Sequence, residues 1–283
     1  MKLHDFRSRA AVSAVLIALV TFLILFAFSP WFQYIVALFV SLLTGVAMWE
    51  YEQFAKAKGG QMIMPALIAA AMVVVYSFFL EAKFPSITGL PLALFFISFL
   101  VLFALHFNEK DGAVVDLAVS SFGLLYIAVP MGMILGILYF GGGQDGRWWI
   151  AYLLVVTKIT DVGAYFGGNL WGRRKLAPSI SPGKTVEGAI VGLACALAAS
   201  FVFYLIGDYS GSQFRLSFLE WIILGFILGI VGQFGDLSES LLKRDANKKD
   251  SNALPGLGGV LDSLDSLLFN AMIIYVHLNY IKL

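Results

Sequence analysis

The sequence is short of charge. Only 13% of its 283 residues are Asp, Glu, Lys or Arg, against about 25% in soluble domains. With 60% apolar residues and a mean hydropathy of +0.86, that scarcity excludes an ordinary soluble domain. Cysteine is nearly absent too. The lone Cys195 excludes an internal disulfide and a cysteine-rich metal site. Its apolar neighbours suit a small buried hydrophobe. The net charge is only +1. That total hides a segregation of charge along the chain, so it argues nothing about nucleic acid, and no nucleic-acid partner is expected. Neither an internal repeat nor a low-complexity tract is evident. This disfavours a transporter, whose halves often repeat and carry interrupted helices. The first apolar run, 10–28, is followed by no small-x-small cleavage site. It also exceeds the roughly 7–15 residues of a signal-peptide core, so a first membrane helix is expected there.

What is present is a series of long apolar runs. A spanning helix needs about 20 mostly apolar residues. Nine segments qualify: 10–28, 31–49, 62–80, 91–107, 113–140, 148–166, 186–206, 217–235 and 267–281. The fifth contains Pro130. Cut there, each half would cross only about 21 Å of a bilayer core of about 30 Å, so one tilted or kinked helix is expected. With the N-terminus in the cytosol, 14 Lys and Arg fall on cytosolic segments and 4 on outer ones; Lys158, inside a helix, completes the 19. The positive-inside rule then favours nine spans with the N-terminus inside and the C-terminus outside. The expected fold class is an all-α polytopic membrane protein. Three regions follow: N-terminal membrane helices over 1–107, a central helix and outer loop over 108–147, and a C-terminal membrane region over 148–283. The last holds two long basic cytosolic segments, 167–185 and 236–266, where the chemistry is expected.

Lys158 and Asp161 are three apart inside an apolar run, so they share a helix face. Ionisable residues at membrane depth are functional candidates, although a neutralising pair facing the bundle is the plain alternative. Asp116 is lone, near a helix end, and reads as structural. Beyond Asp161 come Arg173, Arg174 and Lys175, then Ser181-Pro-Gly-Lys-Thr185. A phosphate-binding P-loop needs glycine five residues before its Gly-Lys and a preceding strand. Here position 178 is Pro178 and no strand is expected. A Ser/Gly/Lys/Thr turn leading into a helix remains, either a phosphate site or a capped helix with Glu187 in its first turn. In 232–250, Asp236, Glu239 or Ser240, and Lys243 fall on one stripe if the eighth helix runs on; a salt-bridged helix end would look the same. Last, Asp262 and Asp265 are three apart at the start of the final helix, after Pro255-Gly256 and Gly258-Gly259. Paired carboxylates suit a hard cation such as Mg²⁺, which usually keeps substrate phosphates among its ligands. Helix-capping aspartates in a glycine-rich loop are the alternative.

Together these residues resemble the phosphatidate cytidylyltransferase (CDP-diacylglycerol synthase) family. Ser240, Lys243, Arg244, Lys249, Asp250, Pro255, Gly258, Gly259, Asp262 and Asp265 follow its signature in order. Gly235-Asp236-Leu237, Glu239-Ser240, Asp161 with Ala164-Tyr165-Phe166, and the segment 181–188 look like its flanking motifs. The resemblance covers about 156–269. Two positions depart: Leu257 stands where the family has histidine, and Ser263 where it has arginine.

The resemblance implies an enzyme of phospholipid biosynthesis in a bacterial-type cytoplasmic membrane, with its site facing the cytosol. Its substrates would be CTP and phosphatidic acid, and its products CDP-diacylglycerol and pyrophosphate. It implies catalytic Asp236, Asp262 and Asp265. Mg²⁺ would be held by these aspartates with Asp161, and a second cation such as K⁺ is compatible with it. It assigns phosphate or substrate contacts to Lys184, Lys243, Arg244, Lys249, Ser181 and Thr185, and implies a homodimer. Ser179 and Asn169 are further available polar groups. A CTP-using enzyme acting on another lipid, such as a polyprenol kinase or an archaeal-type lipid cytidylyltransferase, is the alternative. The motif of the membrane alcohol phosphotransferases is absent.

Overall fold

The computed structural model describes residues 3–107, 111–209, 214–248 and 259–281, with side chains from residue 14 onward. Most of them are helical. The helices are α1 (Leu3–Phe26), α2 (Phe32–Ala57), α3 (Met64–Lys83), α4 (Leu90–His106), α5 (Ala113–Leu138), α6 (Gly146–Trp171), α7 (Val186–Tyr209), α8 (Phe218–Asp245) and α9 (Val260–Ile281). Among the described residues seven of these, α2, α3 and α5 to α9, are long and apolar enough to cross a membrane. The apolar parts of α1 and α4 are shorter, over Ala14–Phe26 and Leu90–His106. The fold is that of an all-α polytopic membrane protein.

α5 is continuous through Pro130, as expected of the long fifth run. A π-helical turn at Leu124–Ala128 stands just before it. Proline has no N–H, and its ring crowds the carbonyl four residues back, here that of Tyr126. A wider turn at that point relieves the conflict without ending the helix.

The chain divides into two compact units, Met1–Leu135 with Lys248–Ser263, and Gly136–Asn247 with Leu264–Leu283. In the first, α2 is held to α5. The Tyr51 hydroxyl donates to the Val119 carbonyl at 3.1 Å. A Cβ at Gly123 would stand 2.9 Å from the Tyr51 ring. The buried Asp116 accepts the Gln61 N–H at 2.6 Å, which ties the α2–α3 connection to α5 and gives that aspartate a structural role. Glu50, fully buried in α2, accepts the N–H groups of Val260 and Leu261 at 2.8 and 2.7 Å.

In the second unit, small residues let helices touch backbone to backbone. A Cβ at Gly167 would lie 2.5 Å from the Val191 side chain. One at Gly188 would lie 2.6 Å from the Ala164 carbonyl oxygen, so α6 and α7 meet closely where the polar segment begins. Cys195 belongs to this seam, next to Gly163, and is half-buried rather than buried. Asp145 caps α6 by accepting the Arg147 N–H at 2.9 Å. Burial raises the Asp145 carboxyl pKa, but hydrogen bonds and charge from Arg147 outweigh it and hold it below the usual carboxylate range.

Between α6 and α7 the chain makes a small antiparallel hairpin, β1 (Lys175–Ala177) and β2 (Ser181–Thr185). Lys175 faces Thr185 and Ala177 faces Ser181, so β2 bulges. This corrects the sequence reading of 181–185 as a turn with no strand before it. Strands of three and five residues are too short to show a periodicity. A tight hairpin is still no P-loop, because Pro178 remains where that motif requires glycine.

Candidate active site

The hairpin is anchored at both ends. Thr185 is the cap of α7, its Oγ1 accepting the Gly188 N–H at 3.1 Å. Glu187 reaches back and accepts the N–H groups of Arg173 and Arg174 at 3.0 and 3.1 Å. The three cations Arg173, Arg174 and Lys175 are thus held on an ordered edge with their side chains exposed.

Beside the hairpin lies a cavity of about 340 Å³, at the lower end of the usual range for ligand sites. Asp161 and Asn169 line it from α6, Ser181, Lys184 and Thr185 from the hairpin, and Gln233 and Asp236 from α8. Lys184 pairs with Asp236 at 2.6 Å, and Lys158 with Asp161 at 3.6 Å. Asp161 is also within electrostatic reach of Asp236 and Lys184. Gln233 donates to the carbonyls of Ala189 and Gly229 at 3.2 and 2.7 Å, tying α8 to α7 under the cavity.

α9 brings Asp265 to the same group. Its Oδ1 accepts the Ser266 N–H at 2.5 Å, and the Ser266 hydroxyl donates to Asp161 at 3.4 Å. Asp265 is nearly buried, and the charges of Asp236 and Asp161 act on it. The approach of α8 depends on Gly235, where a Cβ would sit 2.7 Å from the Asp265 carbonyl oxygen. Below, Asn270 donates to Thr157 at 2.9 Å.

Of the residues singled out from the sequence, Asp161, Asp236, Lys184, Ser181 and Thr185 therefore meet around one cavity, with Asp265 behind them. Others are placed differently. Lys243 is turned inward, in an ion pair with the fully buried Glu239 one turn before it. Arg244 donates from Nε to the Ile180 carbonyl at 3.1 Å and so braces the hairpin. Asp262 belongs to the first unit, where it accepts the Gly259 N–H at 3.3 Å. Ser263 turns its hydroxyl onto the Gly259 carbonyl, 3.1 Å away. Lys249, Asp250, Pro255, Leu257 and Gly258 lie outside the described residues.

Sequence reasoning missed Glu50, Gln233, Ser266 and Asn270. A signal existed for Gln233 and Asn270, as lone amides in apolar runs. For Glu50 the only hint was a carboxylate within α2.

Among the described residues, no three His, Cys, Asp or Glu side chains are placed to hold one metal ion together. The donor chemistry nevertheless suits a hard cation. Asp161, Asp236 and Asp265 offer carboxylate oxygens in one neighbourhood, and Mg²⁺ is ordinarily held by one or two carboxylates plus the phosphates of a substrate.

The model of the cytidylyltransferase family matches residues 7–281. A phosphatidate cytidylyltransferase of Chlamydia pneumoniae is 43% identical over 172 residues, 59% of this chain and 56% of that protein. Those of Bacillus subtilis and Helicobacter pylori are 44% and 45% identical over 133 and 136 residues, each covering 47% of this chain and 48% of the relative. The matched part thus spans about half the length of these curated relatives.

Proposed function

The chain belongs to the cytidylyltransferase family, and from that premise we propose that it condenses CTP with phosphatidic acid, forming CDP-diacylglycerol and releasing pyrophosphate. The observation that carries this reading is the joining of a polar cavity to an apolar groove. The groove is lined by Val186, Ile190, Leu193, Ile230, Phe234 and Leu237, and shares Leu176, Ala189 and Gln233 with the cavity. A charged headgroup in one and an acyl chain in the other is the arrangement an anionic lipid needs. The relatives bearing the activity in their names agree with it.

In the proposed reaction an oxygen of the lipid phosphate attacks the α-phosphorus of CTP in line. The new P–O bond completes a P–O–P linkage between lipid and nucleotide. The bond from the α-phosphorus to the bridging oxygen breaks, and its electron pair leaves with pyrophosphate. The attacking oxygen is already ionised at neutral pH, so no general base is required. Catalysis then rests on positioning and charge neutralisation. Lys184 supplies a cation within the cavity, and Ser181 and Asn169 supply neutral polar contacts. Thr185 keeps the helix start behind the hairpin in place. Mg²⁺ would be held by Asp236, Asp265 and Asp161, and would offset phosphate charge when bound; the family resemblance adds Asp262 as a cation ligand. Nine spans with the N-terminus in the cytosol would put the basic hairpin and the site on the cytosolic face, where CTP is available.

The test is formation of CDP-lipid and pyrophosphate by the purified protein, given CTP, Mg²⁺ and phosphatidic acid in mixed micelles, with and without chelator. Chelator-sensitive product is expected. Folded protein that is inactive on phosphatidic acid but uses CTP with another lipid would overturn the substrate assignment.

A further inference from the structure

We infer that Glu50 is a positioning residue for Asp262, a carboxylate on α2 that holds the first turn of the helix on which Asp262 stands and so sets where that side chain is presented to a cation or phosphate. The inference rests on the function proposed above.

The need for such a residue begins in the sequence. α9 starts at Val260, so the residue before it is Gly259, which has no side chain to cap the helix. The first N–H groups of a helix have no partner within it. Three of them in succession are met by carboxylates. Asp262 accepts from Gly259 at 3.3 Å, while Glu50 accepts from Val260 through Oε1 at 2.8 Å and from Leu261 through Oε2 at 2.7 Å. Glu50 lies 210 positions from Val260, so this is a tertiary cap, not a local one.

Its position is costly. Glu50 is 0% exposed on a helix apolar enough to span a membrane, where a carboxylate is expensive to bury. Two charge-assisted hydrogen bonds and the positive end of the α9 dipole offset that cost. The support is rigid, because the adjacent Tyr51 fastens α2 to α5. A carboxylate on a rigid element fixes the azimuth and height of the helix start, and with them the direction in which Asp262 projects. It also spares Asp262. Aspartate near a helix start readily captures unpaired N–H groups. Without Glu50, Asp262 is the acceptor nearest in sequence to the Val260 and Leu261 donors. It would then be drawn further into capping and away from a cation or phosphate.

Glu50→Gln, Glu50→Asp and Glu50→Ala separate positioning from bulk stability. Each would be purified in detergent and its melting temperature recorded. Mn²⁺ binding would be followed by electron paramagnetic resonance, and CDP-lipid formation by kcat and by KM for CTP. In the isosteric Glu50→Gln protein the half-saturating Mn²⁺ concentration is expected to rise about tenfold, the size seen when partners behind metal ligands are changed. Its kcat should fall by a similar factor, with KM for CTP little changed. Glu50→Asp, charged but one methylene short, should lie between Gln and wild type. If Glu50→Ala does not fold, the Gln and Asp variants decide. Wild-type Mn²⁺ binding and kcat in folded Glu50→Gln would overturn the inference, even with a lower melting temperature. A wild-type protein that makes no CDP-lipid would sink the proposed function instead, and the Mn²⁺ titration would still judge Glu50.

Discussion

Adding one methyl group at Gly235 tests the α8–α9 geometry without touching any functional group. In Gly235→Ala the new Cβ would stand 2.7 Å from the Asp265 carbonyl oxygen, 3.0 Å from the Phe269 ring and 3.1 Å from Ser266 Cα. Ordinary contact begins at 3.4 Å, so the nearest approach is 0.7 Å too short, and the atom in the way is backbone. A backbone carbonyl cannot swing aside as a side-chain tip can. The helices must separate by several tenths of an ångström at the level of Asp236 and Asp265. Overpacking of this kind costs about 1–3 kcal/mol, which would lower the melting temperature by several degrees. A misplacement of about 1 Å can cost roughly a hundredfold in rate. The expected loss in kcat is therefore roughly ten- to hundredfold, larger than any change in KM for CTP. The assay is CDP-lipid formation per folded molecule, with Gly141→Ala as control, because nothing lies within 4 Å of a Cβ there. Wild-type kcat in Gly235→Ala would refute the claim that the carboxylates of α8 and α9 act at a fixed separation.

Three further outcomes follow from the same geometry. Asp265→Asn should abolish turnover and leave the protein folded in membranes; activity near wild type would remove Asp265 from the site. Ile190→Trp, which fills the apolar groove beside the cavity, should reduce kcat/KM for long-chain phosphatidic acid and spare a short-chain, water-soluble analogue; equal effects on both would show that the groove does not hold an acyl chain. Asp145 gives a pH signature. Its folded carboxyl sits below the ordinary range, so its contribution to stability is full above the unfolded value of about 3.9 and is lost as pH falls through the folded one. The difference in melting temperature between wild type and Asp145→Asn should be constant near neutrality and shrink only below about pH 4; a difference independent of pH would contradict the pairing with Arg147.

Much of the architecture follows from patterning alone. Runs of apolar residues long enough for a bilayer can satisfy their backbone only as helices, so the helices fall close to where hydropathy puts them. The ends were less legible. α8 runs past its apolar part to Asp245, because Glu239 and Lys243 pair along one face, and α9 begins at Val260, before its apolar run. A polar residue at membrane depth likewise marked Asp161, the stripe formed if the eighth helix runs on marked Asp236, and composition marked the basic segment around Lys184.

Which side chains meet was decided by tertiary structure. Helices apolar on every side carry no stripe to show which face turns inward, since lipid and protein interior are alike to a hydrocarbon side chain. The inward turn of Lys243 and the backbone contact at Gly235 are therefore invisible in the sequence. So is the hairpin, whose strands are too short to alternate detectably. The Glu50 cap is the extreme case. Its hydrogen bonds join residues 210 positions apart, and no local spacing rule can reach that far. By itself the sequence determined a helical membrane protein with its charged residues gathered late in the chain. Only the packing of α6, α7, α8 and α9 decided which of those charges share a cavity, because that depends on contact between backbones and not on the order of residues.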